Sequence, residues 1–372
     1  MSRPLHALPP VPVLLVTLLS LLVSACGGPS GAADETTTEQ GRVAPALADV
    51  EADTLADPRD WEGPASALVA AGGLDPVDPG PQQLPVTLTD AQGTEVTVED
   101  TSRVLALDVY GTLSRTVWEL GMGESLVGRD ISTQFAEAAD LPLVTQNGHD
   151  LNAEAILELD PTLILTDTSL GPWDVVLQMR DAGVPVVVVD SHRGLDNISS
   201  LTQEVAEALG VPDAGTALAE RVETEVAEVR ERIDAVAPAD ERQRLRTVFL
   251  YVRGQSGVYY LFGEGSGADS LIDAVGGYDV AEEIGWDGMK PVTDEGIVAA
   301  QPELVLMMTD GLESAGGVDG LLERLPALAA TPAGQQRRFV DMADSEVLGF
   351  GPGTADVLNA LAVAIYAPGA LA

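Results

Sequence analysis

The chain has 372 residues and a formal net charge of −40, with 59 acidic side chains against 19 basic ones, three histidines and one cysteine. A surface this acidic repels phosphate and excludes nucleic acid as a partner, and a lone cysteine excludes an intrachain disulfide, so stability must come from a core of ordinary size. The length suffices for two domains, and aromatics are scarce enough, at 4%, that each Tyr, Trp and His is worth inspecting.

In chain order, Arg3 precedes an apolar run from Val13 to Val23, and small residues Ser24-Ala25 lead into Cys26. A positive end, a short apolar region and a small-residue cleavage site form the anatomy of a secretory signal. The run is shorter than the roughly 20 residues a bilayer-spanning helix needs, and Pro9, Pro10 and Pro12 interrupt its front. Leu22-Val23-Ser24-Ala25-Cys26-Gly27 resembles the lipobox of bacterial lipoproteins. That resemblance implies removal of residues 1–25 as a signal peptide and acylation of Cys26, which becomes the lipid anchor. A plain signal peptide with an incidental cysteine is the alternative. Residues 26–83 read as a flexible acidic linker, with Gly27-Gly28-Pro29-Ser30-Gly31, Thr36-Thr37-Thr38 and Asp75-Pro76-Val77-Asp78-Pro79-Gly80-Pro81. Low hydrophobicity with excess charge of one sign favours extension. A flexible chain of this length reaches roughly 40 Å. Short helices are compatible with the stretch from Leu47 to Ala71.

The ordered region opens at Leu84. Val86–Thr89 and Glu95–Val98 around Asp90-Ala91-Gln92-Gly93 predict a hairpin. Strands at Val104–Leu107, Leu163–Leu165 and Pro185–Val189 alternate with helices at Ser114–Leu120, Trp173–Ala182 and Leu195–Leu209, several closed by glycine. This is the rhythm of a parallel sheet. A helix from Asp213 to about Val236, with charges of alternating sign, is too long for an ordinary crossover. The rhythm then restarts with strands Thr247–Val252, Val258–Phe262 and Leu304–Met308, a strand near Phe339-Val340, and helices Ser270–Val275 and Thr354–Ile365. The expected fold is α/β: two three-layer lobes with central parallel sheets, 84–212 and 238–372, joined by one long bridging helix over 213–237.

This plan resembles the solute-binding proteins of ABC importers for cobalamin, siderophores and haem. Two pieces match in parallel positions of the lobes: Leu151-Asn152-Ala153-Glu154-Ala155-Ile156 before Asp160-Pro161-Thr162-Leu163, and Val292-Thr293-Asp294-Glu295-Gly296-Ile297 before Gln301-Pro302-Glu303-Leu304. The resemblance implies that Glu154 and Glu295 dock into basic pockets of a twofold-symmetric ABC permease, which works with its ATPase. Helix capping by an acidic residue in the first turn explains one such Glu well and the matched pair less well. Within the class, Asn147-Gly148-His149-Asp150-Leu151-Asn152, Tyr251-Val252-Arg253 and Met307-Met308-Thr309-Asp310-Gly311-Leu312-Glu313-Ser314 resemble the HmuT-type haem-binding lipoproteins. The resemblance runs from Leu84 to the C-terminus.

It implies a monomeric binding protein, with no catalytic residues, on the extracytoplasmic face of the cell membrane. The cargo would be ferric haem b, drawn from the surroundings or from surface haem-binding proteins upstream. His149 and Tyr251 would be the iron ligands: imidazole is a standard axial donor and phenolate a hard oxygen donor that suits ferric iron. A phenol ordinarily keeps its proton at neutral pH, so iron and a neighbouring cation must favour the ionised form. Arg253, two residues on and hence on the same strand face, is placed to hold that oxygen. Met308 is a candidate pocket residue rather than a third ligand, and His192, after Asp190-Ser191, a candidate at the cleft rim. The alternatives are a siderophore or cobalamin carrier of the same class, or an extracytoplasmic metal-dependent enzyme. Against the last stand the missing Gly-x-Ser-x-Gly and His-Glu-x-x-His patterns and the shortage of histidines.

Overall fold

The computed structural model describes residues 37–38, 41–70 and 74–371. The signal peptide and Cys26 lie outside the described residues.

The first lobe is built on three parallel strands, with Leu163–Thr166 between Val186–Val188 and Val104–Leu107. Every residue of the three is buried, as expected of strands covered on both faces. Helices Thr112–Val117, Trp173–Asp181 and Ile198–Ala208 supply the cover. The hairpin of Val86–Thr89 and Glu95–Val98 stands beside this sheet and turns Val96 and Val98 inward.

The bridging helix runs over Pro212–Val236, 25 residues, or about 37 Å at 1.5 Å per residue. It buries Leu218, Val222, Val229 and Ile233. These belong to one apolar cluster that also holds Val104 and Leu113 of the first lobe and Leu304, Val340 and Leu358 of the second. The core is therefore continuous through the helix.

The second lobe carries a seven-stranded mixed sheet in the order Met289–Pro291, Val258–Phe262, Arg246–Arg253, Leu304–Met308, Phe339–Met342 and Ala65–Ala67, with Tyr278–Asp279 also paired to Arg246–Arg253. Arg246–Arg253, Leu304–Met308, Phe339–Met342 and Ala65–Ala67 run parallel, so their carboxyl ends share one edge. The stretch between Met308 and Phe339, for which no element was expected, is helical over Thr309–Ala315, Gly317–Arg324, Pro326–Ala329 and Pro332–Gln336.

The expected linker requires correction. Ala65–Ala67 is an edge strand of the second lobe, paired with Val340–Met342, and Leu47 and Ala67 are each only 1% exposed. Arg59 bonds Glu303 Oε1 at 2.9 Å and the carbonyls of Gln243 and Arg244. Farther on, the segment bonds the first lobe, with Val77 N donating to Glu119 O at 2.8 Å and Gln83 N to Gly210 O at 2.7 Å. Gly121 sits at that crossing with φ 77°, and a Cβ there would lie 2.5 Å from Val77 O. Average composition concealed this because only a few apolar residues of the segment are buried, Ala65 and Ala67 on the sheet edge and Leu47 beside Asn359 of helix Thr354–Tyr366.

Candidate ligand-binding site

Tyr251 and Arg253 occupy the carboxyl end of strand Arg246–Arg253, and both are half-buried. Tyr251 is paired in register with Tyr260. Its ring stacks on Phe262, with centroids 5.8 Å apart and planes at 19°, and meets Tyr260 edge-on at 6.5 Å. The Arg253 guanidinium lies 4.8 Å from the Tyr251 ring centroid, within the range of a cation–π contact. Two aromatic rings and a cation thus hold the phenol ring, which stays half-buried.

Asp344, which carried no sequence signal beyond its place two residues past strand Phe339–Met342, holds Arg253. Its Oδ2 is 3.4 Å from Arg253 Nη1, and its Oδ1 accepts from Asp310 N at 3.1 Å. Burial, and next the Asp310 carboxylate, push the Asp344 carboxyl above its ordinary value, while Arg253 opposes them.

His149 belongs to the first lobe. It ends a three-residue loop between Thr145–Gln146 and Asp150–Leu151, where Asn147 has φ 49° and Gly148 φ 94°. Asn and Gly tolerate these left-handed conformations as few residues do, so the Asn-Gly pair sets the direction of His149. The imidazole is exposed, yet partial burial and then the Arg253 charge lower its pKa, with Asp344 and Asp150 opposing. An imidazole of one lobe therefore sits in the field of Arg253 and Asp344 of the other. A lowered pKa keeps the ring neutral, the form in which a nitrogen lone pair can bind a metal.

Met308 closes strand Leu304–Met308, is 9% exposed and belongs to the large apolar cluster. Register puts it level with Tyr251, since Leu250 pairs with Met307. His192 is elsewhere: it bonds Asp196 at 3.0 Å and lines an opening with Arg230 of the bridging helix, Asp269 and Asp273. It is not brought together with His149 and Tyr251.

Deeper between the lobes, Tyr110, Arg115 and Phe135 face Glu346 and Phe350 around a cavity of about 50 Å³. The lobes touch here, Thr112 Oγ1 donating to Gly349 O at 2.6 Å and Arg115 Nη1 lying 3.8 Å from Glu346 Oε2. Beneath Tyr110 is a buried ionic cluster. Arg193 bonds Asp167 at 2.6 Å and lies 3.5 Å from Asp108. Asp130 accepts from Asp108 N at 3.1 Å, Thr133 N at 2.8 Å and Thr133 Oγ1 at 3.0 Å. Burial first, with the Asp167 charge adding to it against Arg193, raises Asp108 to about 6; burial first, and the Asp108 charge after it, raise Asp130 to about 7.

Glu154 and Glu295 are exposed, each the second residue of a short helix, Ala153–Glu158 and Asp294–Ala300. Asn152 caps the first by accepting from Glu154 N and Ala155 N, and Thr293 caps the second by accepting from Gly296 N. Side-chain caps thus satisfy the helix starts, and neither glutamate pairs with a cation among the described residues.

The lobes, the bridging helix and the cleft agree with a match of residues 109–346 to the family model described as periplasmic binding protein. The chain belongs to the periplasmic binding protein family, among its HmuT-type members. The crystal structure of the heme binding protein HmuT is 40% identical, with a TM-score of 0.79, and the match covers 83% of this chain and 99% of that one. HmuT has also been crystallised with a histidine, a tyrosine or an arginine replaced by alanine, the last two being two positions apart, as Tyr251 and Arg253 are. The periplasmic heme-binding protein RhuT from Roseiflexus sp. RS-1 is 38% identical with a TM-score of 0.65, over 72% of this chain and 99% of that one. A curated relative in Bacillus subtilis (strain 168), the ABC transporter substrate-binding lipoprotein YvrC, is 23% identical over 76% of this chain and 86% of its own length. The chain is accordingly a binding protein and not an enzyme, it works outside the cytoplasm at a membrane, and an ABC importer is its partner class.

Proposed function

We propose that this protein captures ferric haem b in the cleft between its lobes, with His149 and Tyr251 as axial ligands, and delivers it to an ABC permease. The observation that supports this most is the meeting of groups from opposite lobes: His149 lies in the field of Arg253 and Asp344, and Arg253 covers the Tyr251 ring. A neutral imidazole and a phenolate held by a guanidinium suit the two faces of a ferric porphyrin. Arg253 stabilises the phenolate by charge, and Asp344 keeps Arg253 in place. Glu154 and Glu295 are the permease-docking carboxylates in this reading, and Cys26 carries the lipid that keeps the protein at the membrane. Tethering raises the effective concentration at the permease, which an acidic protein would otherwise leave. The similarity to HmuT and RhuT supports haem over cobalamin or a siderophore as the cargo.

Titration of the mature chain with hemin tests the proposal. A Soret shift with a charge-transfer band is expected, and His149→Ala and Tyr251→Ala should each change it. Spectra identical to the parent in both variants, or a preference for cobalamin over hemin, overturn the reading.

A further inference from the structure

Few large apolar side chains among the described residues are exposed. Two of them are Leu157, 47% exposed, and Val298, 52% exposed. They occupy the same place in two short helices, one in each lobe. Counted from the capping residue, Asn152 or Thr293, the second helical residue is Glu154 or Glu295, the fourth is Ile156 or Ile297, and the fifth is Leu157 or Val298. The isoleucines are 1% and 6% exposed and anchor each helix to its own lobe. The fifth positions then face away from the core, where a solvated helix carries polar residues. Residues three apart on a helix share a face, so each helix presents a carboxylate beside a branched aliphatic group.

We infer that Leu157 and Val298 are the apolar halves of the two docking contacts, and that the surface fits a membrane protein of twofold symmetry offering, on each half, a cation bordered by aliphatic surface. This rests on the docking role given above to Glu154 and Glu295. Equivalent side chains on two lobes of unlike sequence suit a partner that presents the same surface twice. The glutamates, which pair with no cation among the described residues, call for a cation opposite. An exposed carboxylate attracts its partner from a distance but contributes little once salt screens it. Removal of the aliphatic surface from water supplies the salt-insensitive part of the contact.

The test uses the lipid-anchored chain loaded with hemin and the permease–ATPase complex of the same cell, reconstituted together in proteoliposomes. ATPase stimulation is followed against chain concentration. Leu157→Ser with Val298→Ser should raise the half-maximal concentration about tenfold or more while the hemin titration stays as in the parent. Leu177→Ser, an equally exposed leucine at 44% on helix Trp173–Asp181, should change neither. Glu154→Gln with Glu295→Gln should weaken stimulation and flatten its salt dependence. If the glutamine pair behaves as the parent, the docking reading itself fails and this inference with it. If the glutamine pair acts but the serine pair stays within about twofold of the parent, or Leu177→Ser weakens stimulation equally, the apolar contact is refuted and docking by charge alone stands.

Discussion

At the scale of single residues, the cleft depends on what surrounds Tyr251. A phenol on an exposed strand would be free to rotate. Here Phe262 and Tyr260 fix the ring, Arg253 supplies positive charge at 4.8 Å, and Asp344 restrains Arg253. Loss of a side chain that orients a metal ligand typically costs about 10–100-fold in affinity. Arg253→Ala is therefore expected to weaken hemin binding within that range and to shift the charge-transfer band. Asp344→Asn keeps the guanidinium and loosens only its anchor, so a smaller shift of the same sign is expected. Visible spectroscopy with competition against apomyoglobin measures both. His149 was legible from the sequence as a loop histidine beside Asn-Gly. Asp344 was not, because an aspartate after a strand is common and only the order of the parallel sheet, with Leu304–Met308 between the two strands concerned, brings it to Arg253.

At the scale of elements, the two cleft loops of the first lobe, 108–112 and 130–135, are bound through the buried cluster. Asp130 accepts from Asp108 N, Asp108 Oδ1 accepts from Leu113 N, and a Cβ on Gly111 (φ 74°) would lie 2.5 Å from Ser132 O. Asp108 and Asp167 share one guanidinium and Asp130 is buried beside Asp108 with none of its own, so the fold favours a proton among them. Folded Asp108 and Asp130 titrate near 6 and 7, against an ordinary value of 3.8. The folded chain thus binds more protons than the unfolded chain between these values. The stability they contribute is full below pH of about 4 and is lost as pH rises through 6 and 7. Thermal melts should show a Tm that falls from pH 5 to pH 8. General repulsion in an acidic chain gives the same sign, so the deciding comparison is Asp130→Asn, whose decline should be shallower than that of the parent. Equal slopes would remove this account of the cluster.

At the scale of the whole molecule, residues 43–70 and 74–83 act as a strap. They complete the sheet of the second lobe, then reach the first lobe at Glu119 and Gly210. Arg221 of the bridging helix adds an ion pair with Glu119 and lies 3.6 Å from Asp75. If Cys26 carries the proposed lipid, the length of chain available as a tether is set by the residues before the strap, not by the whole stretch from Cys26 to Gln83. Removing residues up to 83 would expose the edge of Phe339–Met342 and leave the pocket of Leu47 empty. The cost is several kcal/mol, on the order of 3 for the buried side chains alone. A protein beginning at Leu84 should melt several degrees below the mature chain, in calorimetry or by circular dichroism. Equal Tm values would show that the strap is not part of the folding unit.

The alternation of strands and helices in the first lobe, the bridging helix and the Tyr-x-Arg strand were determined by the sequence alone, because alternation, helical period and glycine stops are local properties of the chain. The tertiary structure alone decided three things. It placed the supposed linker on a sheet edge, it gathered Asp108, Asp130, Asp167 and Arg193 into a buried cluster, and it brought Asp344 and Arg253 within the electrostatic reach of His149. Each joins residues far apart in the chain, and their pairing arises only when loops at the carboxyl ends of separate strands converge. Local propensity carries no term for that convergence, whereas burial and charge in the folded state do.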